Sequence, residues 1–176
     1  MERKLLYWEL LGAVCTIVLG SLLHFTYDWS GENPLVGAFS AMNESVWEHM
    51  KLLFVPLFLG GLLQWVFLGS AYPNFLAARG AATLLGLLLI PTLYYTYTGI
   101  FGTHVLWADV GLFIVSALAA HALEYAILKG GKLSAPWMQL AGLLLLLGLA
   151  LAFLYFSFSA PDIPLWQEES ATEKVK

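Results

Sequence analysis

Five apolar runs, each long enough to cross a hydrocarbon layer and joined by short connectors, dominate what this chain can fold into. They cover about residues 5–25, 45–70, 76–100, 104–128 and 135–158. A helix needs about 20 apolar residues to cross a bilayer. Backbone polar groups find no water there, and nothing in these runs alternates with the period of two of a barrel wall, so each run must be a helix. The fold class is therefore all-α: a polytopic membrane protein with five transmembrane helices. Residues 1–160 make one five-helix transmembrane domain, and 161–176 a polar tail, acidic and lysine-tipped, that has little to bury and is disordered at its end. Only 11% of residues are charged, against about 25% in soluble domains, which leaves no room for a soluble unit. The first run reads as a helix rather than a cleaved signal, because it is long for one and bulky residues follow where a cleavage site would need small ones.

The connectors carry turn formers. Asn33-Pro34 would cap and begin a short interfacial helix through Met42, Pro73-Asn74 and Gly102-Thr103 mark turns, and Lys129-Gly130-Gly131-Lys132 is the last loop. Pro56 and Pro91 fall mid-run, as kinks or packing irregularities. Arg3, Lys4, Lys129, Lys132 and Arg79, the last placed in a loop, share one side if the N-terminus is inside. The acids Asp28, Glu32, Glu44, Glu48, Asp162, Glu168, Glu169 and Glu173 then lie outside, so the chain is oriented N-terminus in, C-terminus out. No basic stripe could follow phosphates, so nucleic acid is excluded as a partner and the bilayer is the expected one. The single cysteine, Cys15, reads as packing.

This orientation sorts the histidines. His24 ends the first span, His49 lies one turn into the second and His104 opens the fourth, all at the outer level. Ionisable residues in spanning helices face the bundle interior or a wet cavity. Glu48, His49 and Asp109 should therefore converge on an outward-open pocket, with Asn43, Glu44, Ser45, Lys51 and the tyrosine-rich stretch around Tyr95 beside it. An interfacial aromatic belt would also explain the tyrosines. Ser45-x-x-Glu48 is also a capping box, in which Glu48 reaches back to the serine amide, and Glu48–Lys51 an ion pair one turn apart. As metal ligands, His24, His49 and His104 have the chemistry zinc takes, with Glu48 or Asp109 as general base. No HExxH-like spacing marks them, so the site depends on the fold. A second set, Glu9, Gln64, Arg79, His121 and Glu124, lies near the inner face. A buried Glu9–Arg79 or Glu124–Arg79 pair is its structural reading, and the end of a proton or solute path its functional one.

The stretch Asn43-Glu44-Ser45-x-Trp47-Glu48-His49-x-Lys51, preceded by His24-x-x-Tyr27-x-Trp29-Ser30-Gly31, resembles an uncharacterised family of small bacterial membrane proteins with five spans. The resemblance implies a bacterial inner-membrane protein of the same helical layout and brings no activity with it. A fainter likeness runs to membrane-embedded zinc hydrolases of the ceramidase and adiponectin-receptor type, which combine Ser, Asp and His in helices. Those have seven helices and paired histidines in the last, whereas the fifth span here holds none.

Four function classes follow. The first is a metal-dependent membrane hydrolase or lipid-modifying enzyme using zinc. The second is a small transporter or substrate-binding subunit, which with five helices requires a homo-oligomer or a membrane partner. The third is a haem protein ligated by His24 or His49 together with His104, and the fourth a non-catalytic assembly or sensor subunit. All rest on the topology. Reporter fusions in the 29–33 connector and after Trp166 should read outside and one after Lys132 inside; a cytoplasmic signal from the 29–33 connector would overturn the grouping of histidines.

Overall fold

A computed structural model describes residues 2–167 of the chain. Among them it has no strand and six α-helices: α1 Glu2–Trp29, α2 Pro34–Gly37, α3 Val46–Leu68, α4 Phe75–Phe101, α5 Leu106–Gly130 and α6 Pro136–Phe158, followed by a single 3-10 turn, Pro164–Trp166. All but α2 are long and apolar enough to cross a membrane, five in number as the apolar runs require. α1 packs on α3 and α5, while α4 packs on α3, α5 and α6. The helices α1, α3, α4 and α5 thus stand at the corners of a square, and α6 lies outside it against α4. One end of the square, here the upper end, gathers the end of α1, the start of α3, the end of α4 and the start of α5. The lower end gathers the opposite termini.

Large apolar side chains such as Leu10, Val14, Val18 and Leu22 on α1, and Leu140, Leu144, Leu147 and Leu151 on α6, are exposed. An apolar surface of this extent suits lipid rather than water. In lipid, apolar side chains gain little by leaving it, so helices associate through close backbone approach and polar ties. The α4–α6 contact is of the first kind: a Cβ on Gly142 would lie 2.4 Å from the Leu76 carbonyl oxygen, and one on Gly80 would lie 3.0 Å from the Gly142 Cα. The core above it is aromatic, with Trp47 stacked on Trp166 and tilted against Phe153, both at centroid distances of 4.5 Å.

Several local expectations are corrected. α2 is capped by Asn33, whose side chain accepts from the Leu35 amide at 2.9 Å, but it ends at Gly37 rather than Met42. Ser40 is drawn onto α1 instead: it accepts from Thr26 Oγ1 at 2.9 Å and from the Tyr27 amide at 3.1 Å, and donates to the Leu23 carbonyl. The chain after residue 160 has more to bury than its polarity suggests, because Trp166 packs on the start of α3. Glu168, Glu169, Glu173 and the lysine tip lie outside the described residues. Cys15 is exposed on the surface of α1 rather than packed inside. Arg79 lies not in a loop but one turn inside α4, fully enclosed. Pro56 and Pro91 both lie inside continuous helices.

The Gly80–Gly142 approach can be tested directly. Gly142→Leu should destabilise the bundle by about 1–3 kcal/mol, the usual cost of overpacking. Gly148→Leu on the same helix, where a Cβ meets nothing within 4 Å, should leave the thermal midpoint in detergent close to wild type.

Candidate functional site

The upper end of the square is organised by the loop entering α3. Asn43 Oδ1 accepts from the Ser45 amide at 3.0 Å, and Ser45 Oγ caps α3 by accepting from the Glu48 amide at 3.4 Å. This turn holds Glu44 over the last turns of α1. Glu44 Oε2 lies 3.5 Å from His24 Nε2 and 3.5 Å from His49 Nε2, and the two imidazole centroids are 5.3 Å apart. One ligand atom from each of the three residues lies within 4.8 Å of the others.

The protonation pattern follows from geometry. His49 Nδ1 is 2.9 Å from the Ser45 carbonyl oxygen, and a carbonyl only accepts, so Nδ1 carries the proton. His49 Nε2 then meets the Glu44 carboxylate either as a second N–H or as a lone pair. Two lone pairs facing at 3.5 Å need a cation between them. His24 above all, with the charges of His49 and His104, holds the Glu44 carboxyl below the usual carboxylate range.

These groups line a cavity of about 670 Å³ whose walls also include Leu52, Ile90, Val110 and Phe113. His104 and Asp109 line it too, with His104 Nδ1 3.4 Å from Asp109 Oδ2. Asp109 Oδ1 accepts from the Tyr97 hydroxyl, which in turn accepts from the Val105 amide at 3.2 Å. Tyr97 thereby ties α4 to the connector and fixes the carboxylate. His104 itself precedes α5, which starts at Leu106, rather than opening it.

The structure brings His24, His49, His104 and Asp109 to one cavity, as the depth argument expects, but not Glu48. Glu48 is buried on a neighbouring face of α3, turned away from the cavity, where Oε2 lies 2.6 Å from Lys51 Nζ and accepts from the Met42 amide at 2.9 Å, and Oε1 accepts from Ser157 Oγ at 2.8 Å. The capping box is therefore half formed: Ser45 caps, but Glu48 reaches back to Met42, not to the serine amide. Lys51 also donates to the Gly37 carbonyl at 2.7 Å and to Ser157 at 2.8 Å. It joins α2, α3 and α6, and does not line the cavity. Tyr95 is exposed, and Tyr94 lines the cavity in its place. Glu44 has the central position that sequence reasoning gave to Glu48; its turn-forming neighbours Asn43 and Ser45 were the available signal. Nothing in the sequence singled out Tyr97 from the tyrosines around it.

The second set also meets, at the lower end, and of the two expected pairs it forms Glu124–Arg79 rather than Glu9–Arg79. Glu124 pairs with Arg79, at 2.9 Å between Oε1 and Nε, while Glu9 pairs with His121, at 2.8 Å between Oε2 and Nδ1.

With both centres in view, the chain can be compared with known proteins. It belongs to the family described as a family of unknown function, DUF6512, whose profile matches residues 2–175. The match takes in all five long helices and both centres. No curated protein and no solved structure matches the chain.

The placement of Glu48 gives a sharp expectation. Glu48→Gln leaves the enclosed Lys51 charge unpaired and should cost about 3–5 kcal/mol, far more than the roughly 1 kcal/mol of a lost cap. Adding Lys51→Met should recover much of the loss. Thermal unfolding of the wild type, both single variants and the double variant checks this, and a neutral Glu48→Gln would contradict the ion-pair role.

Proposed function

We propose that this chain is an integral membrane hydrolase, N-terminus inside, that holds a divalent metal of the zinc class on His24, Glu44 and His49 and acts on a lipid-like ester or amide in the adjoining cavity. The observation that carries this reading is the convergence of two imidazole Nε2 atoms on one carboxylate oxygen at the rim of an apolar-walled cavity. Two imidazoles and a carboxylate are a ligand set used by catalytic zinc, which keeps its remaining position for water or substrate. The His49 Nδ1–H to the Ser45 carbonyl is the outer-shell bond that turns an imidazole's other nitrogen into a ligand.

When bound, the metal would acidify water and polarise a carbonyl. The chain's own residues would do the rest. His104, held by Asp109, would take the proton of the attacking water and return it to the leaving alcohol or amine as the C–O or C–N bond breaks. Tyr97 would keep Asp109 in place, and Leu52, Ile90, Val110 and Phe113 would hold an acyl chain out of water.

Elemental analysis of the purified protein should find about one zinc per chain. That zinc should be lost in His24→Ala and in His49→Ala, kept in Asp109→Asn, and shed as the medium is acidified through the range in which imidazole protonates. Release of fatty acid from ester lipids in nanodiscs should fail in Asp109→Asn although its zinc remains. A wild type that binds no zinc, or histidine variants that bind it equally well, would remove the metal from this reading.

A further inference from the structure

The lower centre draws one side chain or more from each corner of the square: Glu9 and Thr16 from α1, Gln64 from α3, Arg79 from α4, and His121 and Glu124 from α5. All six are buried. Arg79 donates to Gln64 Oε1 and lies 2.9 Å from Glu124 Oε1, out of line with its Nε–H bond. Gln64 in turn donates to the Trp8 carbonyl at 2.9 Å. His121 sits between Glu9 Oε2, 2.8 Å from Nδ1, and Thr16 Oγ1, 3.2 Å from Nε2. Gly12 makes room for the ring: a Cβ there would lie 2.6 Å from His121 Cε1.

The charges of this cluster do not close by themselves. The acids and bases facing one another are Glu9 from α1, Arg79 from α4, and His121 and Glu124 from α5; α3 contributes only the Gln64 amide, and α6 carries no acid or base there. With both carboxylates ionised and the imidazole neutral, one negative charge is left without compensation in a bundle surrounded by lipid, which such a site does not tolerate. Glu9 Oε1 and Glu124 Oε2 are buried and accept no hydrogen bond from any described residue. The cluster is thus short of one positive charge and has acceptors to spare. A divalent ion would overshoot, since Arg79 already faces Glu124. A proton makes the sum zero.

We infer that Glu9, His121 and Thr16, set against the Glu124–Arg79–Gln64 group, form an internal proton-binding site that holds one exchangeable proton on the Glu9–His121 hydrogen bond. Thr16 fits both positions of that proton. On the imidazole, Nε2–H donates to the threonine hydroxyl. On the Glu9 carboxyl, His121 accepts at Nδ1 and its Nε2–H again finds Thr16. Gly20, which lines the cavity above, is one helical turn from Thr16, about 6 Å along the axis. Thr16 is therefore the member of the cluster nearest the cavity along α1, and Glu9 lies about two turns further from it.

Infrared difference spectroscopy of the full chain in nanodiscs at neutral pH tests this. The spectrum of wild type minus Glu9→Gln should contain one protonated group per chain, either a carboxylic C=O band or an imidazolium mode, that shifts in deuterium oxide. Glu9→Gln removes it because Glu124 and Arg79 then balance alone. His121→Gln should move the proton wholly onto Glu9 and strengthen the carboxylic band, and it serves as the test if Glu9→Gln fails to fold. A difference spectrum without either signal, or a His121→Gln spectrum without the carboxylic band, would overturn the proposal, as would wild-type bands that appear or vanish only with added sodium or zinc.

Discussion

A charged side chain carried into an apolar bundle has no water to turn to, so it must find its partner on another helix or on an adjacent turn. Lys51, Glu48, Arg79 and Glu124 are all enclosed, and their partners determine which elements are held together. Lys51 and Glu48 meet Ser157, which ties α3 to α6 at the upper end, and Lys51 also holds the Gly37 carbonyl at the end of α2. Arg79 ties α4 to α5 and α3 at the lower end. Lipid offers little drive for helices to associate, so these ties and the close glycine contact between α4 and α6 carry much of the specificity. A buried pair is weak evidence for added stability, but losing half of one is costly. That asymmetry makes the charges effective pins.

The same constraint separates the two centres. At the upper end, the loop between α1 and α3 leaves Glu44, His24 and His49 part exposed beside a cavity, so charges there can be shared with solvent, a metal or a substrate. At the lower end, Glu9, His121 and Glu124 are enclosed by the four corners of the square, where the proposed proton would balance their charge. An open centre with ligand-type groups lies at one end, and a closed one with a charge deficit at the other. Thr16 and Gly20 lie between them on one face of α1. In the proposed hydrolase, this arrangement sets a proton store below the place where a water molecule would be split.

Much of this was legible before any tertiary structure. The spans, the common depth of His24, His49 and His104, and the meeting of Glu9, Arg79, His121 and Glu124 at the other end all follow from length, apolarity and the cost of burying charge. The direction in which a side chain points was less accessible. Glu48 and His49 are neighbours in sequence but lie about 100° apart around α3, and only the packing of α6 decided that Glu48 would face Ser157 while His49 faced the cavity. Tyr94, Tyr95 and Tyr97 have the same composition and depth, yet one lines the cavity, one is exposed and one holds Asp109.

The sequence by itself determined the all-α class, the number of long helices and the ends at which polar groups gather, because these depend on the cost of taking single groups out of water, summed along the chain. The tertiary structure alone decided that α1, α3, α4 and α5 form a square with α6 outside it, that Glu44 rather than Glu48 joins the histidines, and that Glu9 takes His121 while Arg79 takes Glu124. Those outcomes depend on pairs of residues up to 112 positions apart in the chain. Distance and angle between helices, which no local pattern encodes, select one partner among several of equal chemistry.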